Sequence, residues 1–221
     1  MKKTSSLTIA IVAGAAAAAS AFVWSAMADQ SPDAPVQSST LSTAIFAGGC
    51  FWCTEADFDK VDGVVSTVSG YTGGTVDNPA YRQVTTGTTG HYEAVKVSYD
   101  PQKVSYDTLV DYYFHTIDPT DPRGQFCDKG SSYRSAVFVK NDDEREVVES
   151  EIDEIEASGV LPGPVVTKVL DASQFWPAED YHQDYHNTTS VKYRFYRQGC
   201  GRDAKLKELW GDEAGKLPAD S

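Results

Sequence analysis

The sequence predicts an α+β domain with strands of mixed direction in a split arrangement. Three observations predict it: strand-spaced and helix-spaced segments follow one another as β-α-β and then β-α-β, no internal repeat is present, and no second linker divides the chain. With 221 residues, 41% of them hydrophobic and 23% charged, the chain has the bulk of one ordinary globular domain.

Taken in order, Lys2 and Lys3 precede an apolar run over residues 7–24, and Ala26-Met27-Ala28 has the form of a cleavage site. Residues 1–28 therefore read as a signal peptide that delivers the mature chain outside the cytoplasm, to a bacterial periplasm. An uncleaved membrane anchor is the competing reading, because no charge falls between Lys3 and Asp29. Residues 29–42, with Pro32, Pro35 and many Ser, Gln and Thr, form a flexible leader. Residues 43–47 make a short apolar strand ending in Gly48-Gly49, and residues 51–60 have helical spacing. A strand follows at 64–71. From His91 to Asp100 the residues alternate, so Glu93 shares an apolar face with Val95, Val97 and Tyr99. Tyr106, Leu109, Val110, Tyr113 and Ile117 recur at helical spacing and stop before Pro119. Strands are expected at 135–140 and 165–170 on either side of a charged helix at 142–157. Beyond Gln174 the chain is polar and aromatic, with a helix expected near 178–186, a tail helix at 203–209, and an otherwise irregular segment between them.

Charge excludes one class of function. With 19 Lys+Arg against 32 Asp+Glu, the net charge of −13 repels phosphate backbones, so no nucleic-acid partner is expected. Four cysteines are too few for a disulfide-dense scaffold. Thiol chemistry and structural bridges both stay open.

Gly48-Gly49-Cys50-Phe51-Trp52-Cys53 places a thiol at a strand-to-helix junction, where unpaired N–H groups and the helix dipole favour a thiolate. Cys50 is accordingly the candidate nucleophile, with a half-cystine as the bland alternative. Glu93, on an apolar strand face, is poorly hydrated, which favours its neutral, proton-donating form. Tyr71, Tyr81 and Tyr133 lie in loop-edge tracts where a phenol can meet a polar ligand. Asp128, in Cys127-Asp128-Lys129-Gly130, reads alone as turn chemistry. Cys200, between Gly199 and Gly201 in a stretch of little apolar periodicity, suits either a mobile resolving thiol or a static bridge. Cys50-x-x-Cys53 and His182-x-x-x-His186 have local zinc spacings, but the two pairs lie too far apart in sequence for a compact finger, and no metal is expected.

Several of these tracts together resemble a known family. Gly49-Cys50-Phe51-Trp52 with Glu55, Gly70-Tyr71-Thr72-Gly73-Gly74, Asn78-Pro79-Ala80-Tyr81, Gly90-His91-Tyr92-Glu93-Ala94-Val95, Tyr133-Arg134-Ser135 and Tyr181-His182-Gln183 resemble the A-type peptide-methionine (S)-S-oxide reductases, in order, from about Ala44 to about Gly211. The resemblance implies a two-layer α+β sandwich related to the ferredoxin-like fold, a reductase domain over residues 43–211 and a flexible tail over 212–221. It implies Cys50 as nucleophile, Phe51 and Trp52 as the methyl pocket, Glu93 as acid, Tyr81 and Tyr133 as holders of the sulfoxide oxygen, and Asp128 as a carboxylate in the substrate site. The implied substrates are oxidised proteins and free methionine-S-sulfoxide, with an external thioredoxin-like or small dithiol as reductant and no cofactor.

The implied chemistry passes through a Cys50 sulfenic acid and an intramolecular disulfide. Cys53 stands where Gly often follows the Trp, which opens the choice of resolving thiol: Cys200 is favoured, Cys53 is the alternative, and Cys127 is a further possibility. A general thiol-disulfide oxidoreductase using Cys50-x-x-Cys53 is the rival enzyme, and a secreted binding domain with two static bridges is the non-enzymatic one.

Overall fold

The computed structural model describes residues 40–218. The signal peptide expected over residues 1–28, and residues 29–39 of the expected leader, lie outside them.

The described residues run β1 (Ser42–Gly48), α1 (Phe51–Phe58), β2 (Val64–Thr72), a single turn α2 (Tyr81–Val84), β3 (Tyr92–Tyr99), α3 (Tyr106–Phe114), the hairpin strands β4 (Gly124–Gln125) and β5 (Asp128–Lys129), β6 (Ser135–Val139), α4 (Asp142–Ser158), β7 (Lys168–Asp171), β8 (Trp176–Pro177), α5 (Tyr185–Thr188), α6 (Ser190–Gly199) and α7 (Arg202–Trp210). Local chemistry marks the helix ends. Ser105 Oγ accepts the Thr108 N–H at 3.1 Å to open α3. Asn141 Oδ1 accepts the Glu144 N–H at 2.8 Å, ahead of an acidic first turn, to open α4.

The main sheet has the order β7-β6-β1-β3-β2-β8, with β6 and β7 parallel and the other neighbours antiparallel. Strand β3 thus lies between β1 and β2, the two strands that α1 connects, which is the split arrangement predicted and is compatible with a ferredoxin-like relation. Phe46 stacks on Phe58 and Tyr113, with ring centroids 4.8 and 5.0 Å apart, and joins β1 to α1 and α3. Val95 and Val97 of β3, Val148 and Ile155 of α4, and Leu206 and Trp210 of α7 complete that core, so the helices cover one face of the sheet. A smaller cluster of Ala47, Tyr92, Ala94, Phe138 and Phe175 covers the other.

Three expectations change in the C-terminal part. The helix near 178–186 is replaced by β8, a 3-10 turn at Asp180–His182 and the short α5. Long-range polar ties outweigh local helix propensity here: Gln183 bonds the Ser69 N–H and C=O, both at 2.9 Å, and Asp184 takes the left-handed conformation with φ +50°. The irregular stretch before Cys200 is instead the helix α6. Its buried side is built from Tyr193, Tyr196 and Arg197 rather than aliphatic residues, so apolar periodicity does not reveal it. The tail is ordered further than residue 211: Gly211–Glu213 forms a 3-10 turn, the Gly215 N–H reaches the His115 C=O at 2.9 Å, and Ala214 and Leu217 pack on the core.

Candidate active site

Cys50 sits where β1 stops and α1 starts. The turn needs Gly49, whose φ is +87° and whose missing Cβ would lie 2.5 Å from Gln125 Cβ. Gln125 cannot yield, because its amide bonds the Asp118 N–H at 2.8 Å and the Asp118 C=O at 2.7 Å. Gly49→Ala is therefore expected to cost roughly 2–4 kcal/mol, from left-handed strain and overpacking together, read as a lower urea midpoint.

Register delivers Glu93 to the same junction. Phe46 of β1 pairs with Val95, so Glu93, two residues earlier on the same face of β3, comes level with the turn that holds Cys50. There its Oε2 accepts the Phe51 N–H, the first free donor of α1, at 3.1 Å. Glu93 is 1% exposed. Burial pushes its carboxyl up to about 8, aided by the Asp128 charge and opposed by the Phe51 N–H and the Tyr133 phenol. At neutral pH it is mostly protonated.

The thiol that precedes α1, Cys50, and the one within it, Cys53, divide their roles differently from the sequence expectation. Burial raises Cys50 well above the ordinary thiol range, and the sulfur of Cys53 and the carboxyl of Glu93 raise it further, against a hydrogen bond from Tyr196. Cys53 is lowered, first by the hydrogen bond from Cys50 and then by Arg202 and Arg197, which together outweigh its burial. The helix end does not make Cys50 the free enzyme's thiolate, because Glu93 already occupies the Phe51 N–H and burial dominates.

Aromatic rings wall the site. Phe51 lies 4.9 Å from His182, 5.9 Å from Tyr71 and 6.4 Å from Tyr81, centroid to centroid. Trp52 stacks on Tyr185 at 3.8 Å, and its Nε1–H donates to His182 Nδ1 at 3.1 Å. That bond places any proton of neutral His182 on Nε2. Glu179 accepts from the Tyr71 hydroxyl at 2.8 Å and from the Tyr81 N–H at 2.9 Å, anchoring the loop that carries Tyr81. Burial and the Glu93 charge raise both Tyr81, up to about 12, and Tyr133, so both phenols remain donors. Asp128, in the β4–β5 hairpin, accepts a short hydrogen bond from Tyr196 of α6, and Tyr196 meets Trp52 edge-on at 5.8 Å.

A thiol, a protonated carboxyl, two phenols and an apolar wall thus converge on one pocket. The description "Peptide methionine sulfoxide reductase" belongs to a family model that matches residues 42–214. The chain belongs to that family.

Among similar members of the peptide methionine sulfoxide reductase family, the MsrA 2 protein of Rhizobium meliloti is 48% identical over 180 residues, covering 81% of this chain and 89% of that one. The MsrA/MsrB protein of Vibrio cholerae is 46% identical over 181 residues, covering 82% of this chain, but the match spans only 48% of that longer protein. The methionine sulfoxide reductase A of Corynebacterium diphtheriae is similar in structure, with a TM-score of 0.62 at 35% identity, covering 68% of this chain and 76% of that one. Family membership does not favour the general thiol-disulfide oxidoreductase.

Within this reductase domain, Cys200 lies at the end of α6, close to Asp128. It caps the C-terminus of α6 and is bonded to Cys127, with Cα atoms 5.0 Å apart, while Cys50 and Cys53 are free and buried. A Cys127–Cys200 bridge at the end of α6 fits a mechanism that passes through intramolecular disulfides, so Cys200 stays beside Cys53 as a candidate resolving thiol. The two zinc-spaced pairs are used separately: His182 accepts from Trp52, and His186 Nε2 lies 3.3 Å from Asp59. Sequence reasoning missed Tyr185, Tyr196, Arg197 and Arg202 as site residues. His182 entered it only as part of a motif, since an aromatic or basic side chain carries no local signal of what it faces across the fold.

Proposed function

We propose that the chain reduces methionine-S-sulfoxide, free and in proteins, to methionine, the activity of a peptide-methionine (S)-S-oxide reductase. The observation that carries this reading is the buried Glu93 carboxyl at the Phe51 N–H, beside the Cys50 sulfur. Sulfoxide oxygen is a poor acceptor of electrons until it is protonated, and a neutral acid in a dry pocket meets that need. Phe51 and Trp52 receive the methyl group, Tyr81 and Tyr133 hold the oxygen, and Asp128 orients the rest of the substrate through Tyr196.

Cys50 attacks the sulfoxide sulfur as Glu93 protonates the oxygen and takes up the Cys50 thiol proton in exchange. The oxygen ends on Cys50 as a sulfenic acid, two electrons pass to the substrate, and the thioether departs. Cys53, one helical turn away and hydrogen-bonded to Cys50, then closes the disulfide and releases water. An external thioredoxin-like dithiol resets the enzyme, and no metal or organic cofactor enters the scheme.

The resolving step is tested by Cys53→Ser and Cys200→Ser with a protein dithiol as reductant. Cys53→Ser is expected to release roughly one equivalent of methionine and stop, while Cys200→Ser continues to turn over. Sustained turnover by Cys53→Ser would return the role to Cys200. Activity on the R epimer comparable with that on S would overturn the substrate assignment.

The proposed compartment is the periplasm. The charged N-terminus, apolar run and Ala26-Met27-Ala28 triplet support export, and a partly exposed Cys127–Cys200 bridge suits an oxidising surrounding.

A further inference from the structure

Beneath Cys53 lies a charge cluster that the reaction as described does not use. Cys53 packs against Ala56 and Tyr193, with Trp52, Tyr185 and Tyr196 around it. Asp57, one turn further along the same face of α1, is 3% exposed. Arg197 of α6 reaches it at 2.9 Å and also donates to the Tyr193 hydroxyl at 3.0 Å. Arg202 of α7 is 2% exposed, lies 3.7 Å from Asp57, and is pinned by the C=O groups of Gly48 at 3.2 Å and Thr116 at 2.8 Å. The Phe126 ring covers its guanidinium at 4.5 Å.

Two guanidiniums therefore face Asp57 from α6 and α7, the exposed Lys60 reaches the same carboxylate at 3.0 Å, and Arg202 also faces Asp128. Asp203, the second partner of Arg197, has a side chain 66% exposed and is well hydrated, so it screens Arg197 only weakly. Cations fixed in a dry region stabilise a nearby anion. The ionisable groups around the thiol are Cys50 at the start of α1, Tyr185 on α5, Tyr193 and Tyr196 on α6, Glu93 on β3 and Asp128 on β5. Both guanidiniums act on the Cys53 sulfur as well as on the carboxylates they face.

We propose that Arg197 and Arg202 are positioning residues that stabilise the thiolate form of Cys53, from which it closes on oxidised Cys50. The closing step balances without a further reactant. The Cys53 sulfur attacks Cys50, the S–S bond forms as the S–O bond breaks, and the oxygen leaves as water with its own proton and one from Glu93. The inference rests on Cys50 as the nucleophile, which is tested separately.

The test is the pH dependence of alkylation at Cys53, read by peptide mass spectrometry on the full chain with the Cys127–Cys200 bridge intact and no sulfoxide present. Arg197→Gln is expected to raise the Cys53 midpoint by about 1 pH unit and to slow closure of the disulfide about tenfold below that midpoint. Arg197→Lys, which keeps the charge, is expected to recover most of both. Asp57→Asn removes the balancing anion and is expected to shift the midpoint the other way, which keeps the test decisive if Arg197→Gln fails to fold. A midpoint that moves with neither substitution, or moves equally for Gln and Lys, overturns the proposal. These midpoints are read without substrate, so they stand apart from the Cys50→Ser assay that decides the nucleophile.

Discussion

Cys50→Ser is expected to abolish turnover, lowering methionine formation by about 10⁴-fold or more, equivalent to about 5.5 kcal/mol of lost transition-state stabilisation. A serine hydroxyl is a far weaker nucleophile than a thiol, and it cannot take up sulfoxide oxygen as a reversible sulfenic acid. The pocket itself should persist, because the backbone of residue 50, which accepts from the Cys53 and Thr54 N–H groups at 3.0 and 3.3 Å, is unchanged. The assay is methionine release from the S epimer under single-turnover conditions. Residual activity above a hundredth of wild type would place the nucleophile elsewhere.

For Glu93→Gln the expected loss is 10²- to 10⁴-fold in the reductive step, with substrate binding largely kept, because Tyr81 and Tyr133 still donate to the oxygen. The wild-type rate should fall as pH rises through about 8, where Glu93 loses its proton. Stability moves with the same titration. The folded-state value is raised from 4.5 to about 8, so Glu93 contributes stability that is full below pH 4.5 and is lost as pH climbs through 8. The glutamine variant lacks that loss. Relative to wild type it should gain roughly 3–5 kcal/mol between pH 5 and pH 9, measured by urea unfolding of both proteins at each pH. Glu55 and Glu151, both raised to about 7 by burial, titrate alike in the two proteins and cancel in the comparison. An equal fall in stability for both proteins would show that Glu93 is not the buried acid.

Much of the site was legible because its parts have strong local signals. Gly49 needs positive φ, Cys50 follows it at a helix start, and the alternation around Glu93 puts a carboxyl on an apolar face. The strand order β-α-β then β-α-β was readable from periodicity for the same reason. Helix α6 was not, since its inward residues are Tyr193, Tyr196 and Arg197, whose polar tips disguise a buried side. With α6 unseen, Cys200 read as either a mobile thiol or a static bridge, and its partner could not be named.

What the sequence determined alone was the inventory: a thiol at a strand-to-helix turn, a carboxyl that burial would neutralise, and phenols to accompany them. Only the tertiary structure decided how charge is shared among them. Glu93 takes the Phe51 N–H that Cys50 was expected to use, Arg197 and Arg202 arrive beneath Cys53 from helices far along the chain, and Cys200 is held by Cys127. The physical reason is that ionisation in a dry pocket depends on burial and on charges a few ångströms away, and residues more than 100 positions apart in sequence supply them.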